Sequence, residues 1–169
     1  TCALPIFRLS CVLASRCVTG RQYGPVMCAK QREIAARVLL EPPVPGVFVE
    51  QRLDGDAGFR GLGEADRRLV RELVLGVWRR RATLDWVIAR RTDGRPQRPE
   101  IQTILRLGLY QILFLDRIPP HASVNESVEL TRRLGAERQA GFVNAVLRGV
   151  LREEARVRRE LADLREREP

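Results

Sequence analysis

Five apolar side chains, Leu69, Val70, Leu73, Val74 and Val77, recur at helical offsets, and they fall on a single stripe about 100° wide when each residue advances by about 100°. Val143, Val146, Leu147, Val150 and Leu151 form a second such stripe near the other end of the chain. A period of about 3.6 residues buries one face of a helix and scatters the apolar set of a strand, which needs alternation every ~2 residues. No stretch of the sequence alternates in that way, and no internal repeat is visible. The expected fold is therefore all-α, a bundle of six or seven helices. With 169 residues, one core is affordable and two full domains are not, since a chain of this size buries roughly 70% of the surface it exposes when unfolded.

Proline and glycine punctuate the pattern. From Met27 the positions Ile34, Ala35, Val38 and Leu39 keep helical spacing until Pro42 and Pro43 stop them. Residues 41–63 are rich in Pro, Gly and Asp and read as a loop enclosing one short helix. The next helix is expected to begin near Asp66, a suitable N-cap. Leu84, Trp86, Val87 and Ile88 make a short helix ending at Thr92-Asp93-Gly94, and Pro96 and Pro99 then open the most apolar helix, residues 100–116, expected to be central and buried. Pro119-Pro120 starts another helix that runs to Gly135, with Ser123 and Glu126 spaced as a capping box. The last core helix starts near Glu137. In residues 152–168 twelve of seventeen side chains are charged, which reads as a solvated helical extension or linker. Residues 1–26 lack acids, an initiator methionine and helical periodicity, and read as an unstructured or spurious leader. The domain proper is then 27–152, with an extension over 153–169.

The net charge of +9 is unevenly spread. Residues 67–98 carry ten basic and three acidic side chains, a block of +7, while residues 33–66 carry three against seven. A concentrated basic block suits a polyanion, with RNA or DNA leading. Arginine supplies 29 of the 30 basic residues, a bias that base composition alone can also produce. No apolar run reaches the ~18 residues that a membrane span needs, and the four cysteines all lie within the first 28 residues. The cysteine-free remainder needs no oxidising compartment, and a cytoplasmic location is expected.

The sequence offers no candidate for catalytic chemistry. Cys2, Cys11, Cys17 and Cys28 have neither zinc nor redox spacing, and His121, the only imidazole, cannot complete a metal site with them. There is no glycine-rich phosphate loop. Asn125, Glu126 and Glu129 read as a solvated helix face, and Cys28 has no identifiable basic partner. No catalytic residue, metal or cofactor is assigned. The candidate RNA contacts are Arg67, Arg71, Arg79, Arg80 and Arg81, with Arg32 and Arg37 as a second cluster beside Lys30. Trp78 could stack on an unpaired base or pack between helices. Arg80 and Arg81 could equally lay their stems on the core with solvated heads, and Arg106 in the apolar helix is expected to pair with a carboxylate.

Four ordered strings then carry a family resemblance: Asp66 to Val77 followed by Arg79-Arg80-Arg81 and Leu84-Asp85-Trp86; Ile104 to Leu113; Pro119 to Leu130; and Gly141 to Arg148. Over about residues 31–152 the chain resembles the NusB-like RNA-binding family. That resemblance implies a NusB-like helical bundle and two kinds of relative. One is the substrate-binding N-terminal domain of a ribosomal RNA cytosine-C5 methyltransferase, which Leu84-Asp85-Trp86 and Phe142 to Arg148 resemble more. The other is a free-standing transcription antitermination factor that binds RNA together with a ribosomal protein. In the first case S-adenosylmethionine and a Pro-Cys nucleophile belong to a catalytic domain outside these residues, so this chain by itself is expected not to be an enzyme. The implied partner is RNA, ribosomal RNA foremost. Asn125, Glu126 and Asn144 match the family signature and are expected to serve structurally, by satisfying backbone groups at helix starts or contacts. A helical protein-interaction module remains the third reading.

Overall fold

In the computed structural model, which describes residues 27–167, α1 (Met27–Leu40) leads into two short helices, α2 (Val49–Gly55) and α3 (Ala57–Arg60). Then follow α4 (Glu64–Arg79), α5 (Arg81–Arg91), α6 (Pro99–Phe114), α7 (Pro120–Arg133), a 3-10 turn at Glu137–Gln139, α8 (Ala140–Arg152) and α9 (Glu154–Arg167). The described residues contain no strand. The described residues form nine α-helices where the periodicity predicts six or seven. The Pro- and Gly-rich segment holds two short helices, not one, because Asp56 closes the turn between them by accepting a hydrogen bond from the Phe59 amide at 2.8 Å.

α6 is the axis of the bundle. Eleven of its residues are buried, and it packs against α1, α4, α5, α7 and α8. The stripe on α4 faces it, with Val70, Leu73, Val74 and Val77 buried and Leu69 packed at the margin. On α8 the core side consists of Val143, Val146, Leu147 and Val150. Two glycines allow α6 its close neighbours. A Cβ on Gly76 of α4 would stand 2.0 Å from Cζ of Tyr110, and one on Gly108 would stand 2.7 Å from Oγ of Ser127. Neither helix pair could approach so closely with a larger residue there.

Several local expectations are corrected. α4 begins at Glu64 with Gly63 before it, so Asp66 sits in the first turn and complements the helix dipole instead of capping it. Ser123 and Glu126 form no capping box, because α7 already starts at Pro120 and Ser123 is fully buried within it. Ser127 and Thr131 donate to the carbonyls one turn back, at 2.8 Å each, while the Ser123 hydroxyl on the same face has no partner among the described residues. The charged tail is no free extension. Val157 and Leu161 of α9 are buried, Arg91 on α5 holds Glu153 through two bonds of 2.9 and 3.0 Å, and Arg158 donates to the Ile112 carbonyl. The Arg91 guanidinium lowers the Glu153 pKa. Residues 1–26, read as a leader, lie outside the described residues.

Candidate nucleic-acid interface

α4 determines where its cations stand. Arg67, Arg71 and Trp78 are separated by four and seven residues, and at about 100° per residue they fall within about 40° on a flank beside the buried stripe. All three are exposed, Trp78 at 41%. The run is about 16 Å long at ~1.5 Å per residue. Arg60, Arg67, Arg68 and Arg71 line one shallow groove with Asp54 and Glu64. Within it Arg71 donates to Asp54 at 2.7 Å and stands over the Phe59 ring, and Arg68 pairs with Glu64. Arg67 has no carboxylate partner among the described residues. These pairs are solvent-exposed, so each contributes only about 0–1 kcal/mol and yields readily to a competing phosphate.

The other end of α4 is differently built. Arg79 donates to the Leu75 carbonyl and is exposed, and Arg81 opens α5 and is also exposed. Arg80 is half-buried, with its guanidinium 4.2 Å from the centre of the Phe114 ring, so it packs as much as it charges the surface. Trp78 and Arg81 border a cleft of about 330 Å³ between the end of α1 and the starts of α5 and α6. Arg106 at its base is paired with Asp85 through bonds of 2.7 and 2.8 Å, as its place in an apolar helix predicts, and Gln102 donates to the same carboxylate at 2.6 Å.

The second cluster divides, with Arg32 buried and Arg37 and Lys30 exposed. Arg32, assigned to RNA from its charge, is 2% exposed and donates from Nε to Oε1 of Gln111 at 2.7 Å. It is a core residue and cannot reach a phosphate. Ala35 and Ala36, one turn further along α1, were the available signal, because small buried residues at those offsets share its face. Arg37, itself exposed, donates to Asp56 through two bonds of 3.0 and 2.9 Å, tying α1 to the turn before α3. Only Lys30 of that cluster is an exposed cation without such a tie.

Asn125, Glu126 and Asn144 come together, although not in the expected role. They line a groove between α7 and α8 with Glu129, Arg132 and Gly141. Asn144 accepts from Nε of Arg148 at 2.9 Å and caps no backbone group, and Asn125 is exposed. Among the described residues no group of His, Cys, Asp and Glu could hold a metal.

On the opposite flank of α4 the Tyr110 hydroxyl donates to Glu72, and its ring stacks on Phe114 at 5.5 Å. Burial, then the hydrogen bond and charge of Glu72, push this phenol from 10.0 up to about 12, with Arg80 and Arg79 opposing. The unfolded tyrosine ionises above its ordinary value while the folded one keeps its proton, so this contribution to stability is complete below pH 10.0 and is lost as pH rises to about 12. The stability advantage of the protein over Tyr110→Phe in urea melts should therefore shrink across that window, with the parent losing stability faster. Parallel curves would sink this assignment.

A bundle wound around one apolar helix, with cations and an exposed indole along an outer helix, defines a small all-α domain with one cationic, partly aromatic face. The chain belongs to the NusB family, whose model matches residues 29–152. A probable ribosomal RNA small subunit methyltransferase B of Synechocystis sp. is 36% identical over 126 residues, 73% of this chain and 28% of that protein. Transcription antitermination protein NusB of Desulforudis audaxviator is 35% identical over 127 residues, 73% of this chain and 92% of that protein. The chain thus spans 28% of the length of the methyltransferase relative and most of the antitermination relative. Among solved structures, T. maritima NusB shares the fold with a TM-score of 0.59 at 21% identity, covering 78% of this chain and 90% of that one. A chain in the crystal structure of a plectonemic RNA supercoil aligns with a TM-score of 0.67 at 21% identity, covering 75% of this chain and 95% of that one. No helix among the described residues is long and apolar enough to cross a membrane.

Proposed function

We propose that this domain binds RNA, ribosomal RNA foremost, through the outer flank of α4. The observation that carries the reading is the alignment of Arg67, Arg71 and Trp78 on one solvent-facing side, continued by Arg79 and Arg81. Guanidinium groups on a helix meet phosphates without reading sequence, and each contact releases condensed counterions. The partly polar, cationic face, with exposed and weakly held ion pairs, fits that mode better than it fits an apolar protein interface.

The domain serves as the substrate-binding part of an rRNA cytosine-C5 methyltransferase in this reading, which Leu84-Asp85-Trp86 and Phe142 to Arg148 favour. The 92% coverage of an antitermination relative supports a free-standing factor as the second reading. Sequencing the reading frame beyond residue 169 separates the two, because only the first requires a Pro-Cys methyltransferase domain there.

RNA binding is tested by fluorescence anisotropy on a ribosomal RNA hairpin between about 50 and 200 mM salt, where affinity should fall steeply. Arg67→Ala together with Arg71→Ala should lower the magnitude of the logarithmic salt slope by about two. Stability should change by only about 0.5 kcal/mol per site, since both side chains are exposed. A flat salt response refutes phosphate-led binding. An unchanged slope in the double variant moves the contact surface elsewhere, with Lys30 the next cation to replace.

A further inference from the structure

The cleft at the end of α4 has features that a row of phosphate contacts does not use. Trp78, exposed at 41%, forms one wall, and Val77 and Pro99 make apolar surface beside it. Thr103 lines the same cleft, is only 3% exposed and has no side-chain hydrogen-bond partner among the described residues. Its hydroxyl opens onto the cleft and is available there as a donor and an acceptor. Gln102, also in the lining, spends its amide nitrogen on Asp85, which holds its side chain in place and leaves its carbonyl oxygen as a free acceptor. The Arg106 charge is answered by Asp85, so the cleft floor does not itself call for an anion. Arg81 in the lining is exposed and carries no carboxylate partner among the described residues, while Glu41, also in the lining, is answered by Arg52.

An aromatic wall, a neutral donor and acceptor within, and an unpaired cation at the rim match a flat heteroaromatic ring attached to a phosphate. The volume of about 330 Å³ lies at the small end of ligand clefts, which suits one nucleotide and excludes a duplex. We infer that this cleft receives one unpaired nucleobase of the bound RNA, stacked on Trp78 and read by Thr103 and Gln102. The inference rests on the RNA-binding reading and adds to it a preference for bulged or looped RNA over perfect duplex. Arg67 and Arg71 would hold the flanking backbone along the same side of α4, while the base leaves the stack at its end.

The test uses the full chain carrying Trp86→Phe, which leaves Trp78 as the sole indole of the two in the sequence. The probes are a fully paired RNA duplex and the same duplex with one bulged nucleotide. The bulged RNA should bind about tenfold tighter, within the range of a single base-on-aromatic stack, and should quench Trp78 emission, whereas the duplex should bind without quenching. Trp78→Ala should abolish the difference between the two RNAs, whereas Arg67→Ala with Arg71→Ala should weaken both alike and preserve the difference. Thr103→Val, which keeps the shape of the wall, should narrow the difference while the Arg67 and Arg71 contacts persist. Equal binding of both RNAs with unaltered Trp78 emission overturns the base-receiving cleft and leaves the RNA-binding reading standing. Failure of both RNAs to bind overturns that reading and this inference with it. Trp78 emission that responds to a protein partner and to neither RNA assigns the cleft to protein docking and overturns the inference as well.

Discussion

Gly76→Ala is expected to destabilise the fold by about 2 kcal/mol or more, although alanine is the better helix former by ~1 kcal/mol. The added methyl would lie 2.0 Å from Cζ and 2.1 Å from Oη of Tyr110, well inside any van der Waals contact. The ring is 4% exposed, stacked on Phe114 and held by Glu72. It cannot step aside without losing that hydrogen bond or prising α4 from α6, and both add to the overpacking cost. Gly141→Ala is the control, since its Cβ would meet nothing within 4 Å, and it should be neutral or slightly stabilising. Equilibrium urea denaturation of both variants decides the matter. If Gly76→Ala proves as stable as Gly141→Ala, the close α4–α6 approach is not as described.

The second large effect is expected of Leu73→Ala, at about 2–5 kcal/mol. Leu73 is fully buried on the core side of α4, and truncation removes its transfer energy and leaves a void that close-packed neighbours fill only in part. RNA affinity, measured where the variant is still folded, should match the parent, because the side chain faces away from Arg67 and Arg71. Thermal melts and anisotropy on the same samples separate the two effects. Loss of affinity at full folding would mean that the core side of α4 contributes to the interface directly.

How far the sequence reveals this molecule depends on how loudly each element speaks. The stripes of α4 and α8 each bring four buried residues to the core, and a 3.6-residue period is unmistakable at that density. α9 offers only Val157 and Leu161, one turn apart, among side chains that are mostly charged. Two apolar positions cannot announce a packed face, and docking comes also from the Arg91 and Arg158 contacts, which lie far apart in sequence. α2 and α3 are too short for periodicity to register at all. At the surface, the α4 flank follows from helix geometry alone. Arg32 shows the limit of that reasoning: charge suggests the surface, whereas its partner Gln111 sits 79 residues away on the most apolar helix, and a buried guanidinium is acceptable only where such a partner exists. Asn125, Glu126 and Asn144 were legible as a group, but their shared groove depends on how α7 crosses α8, which no local pattern specifies.

The fit of the Tyr110 ring into the gap at Gly76 also governs what happens on the far side of α4. A helix locked at that point cannot roll, so its arginines keep one spacing and one azimuth whether or not a ligand is present. Ordering costs then fall on the nucleic acid, which must bend, bulge or unpair to match a ruler that does not give. On the proposed RNA-binding face, selectivity for deformable RNA would then arise from the stiffness of the arginine row as well as from the base taken up at its end.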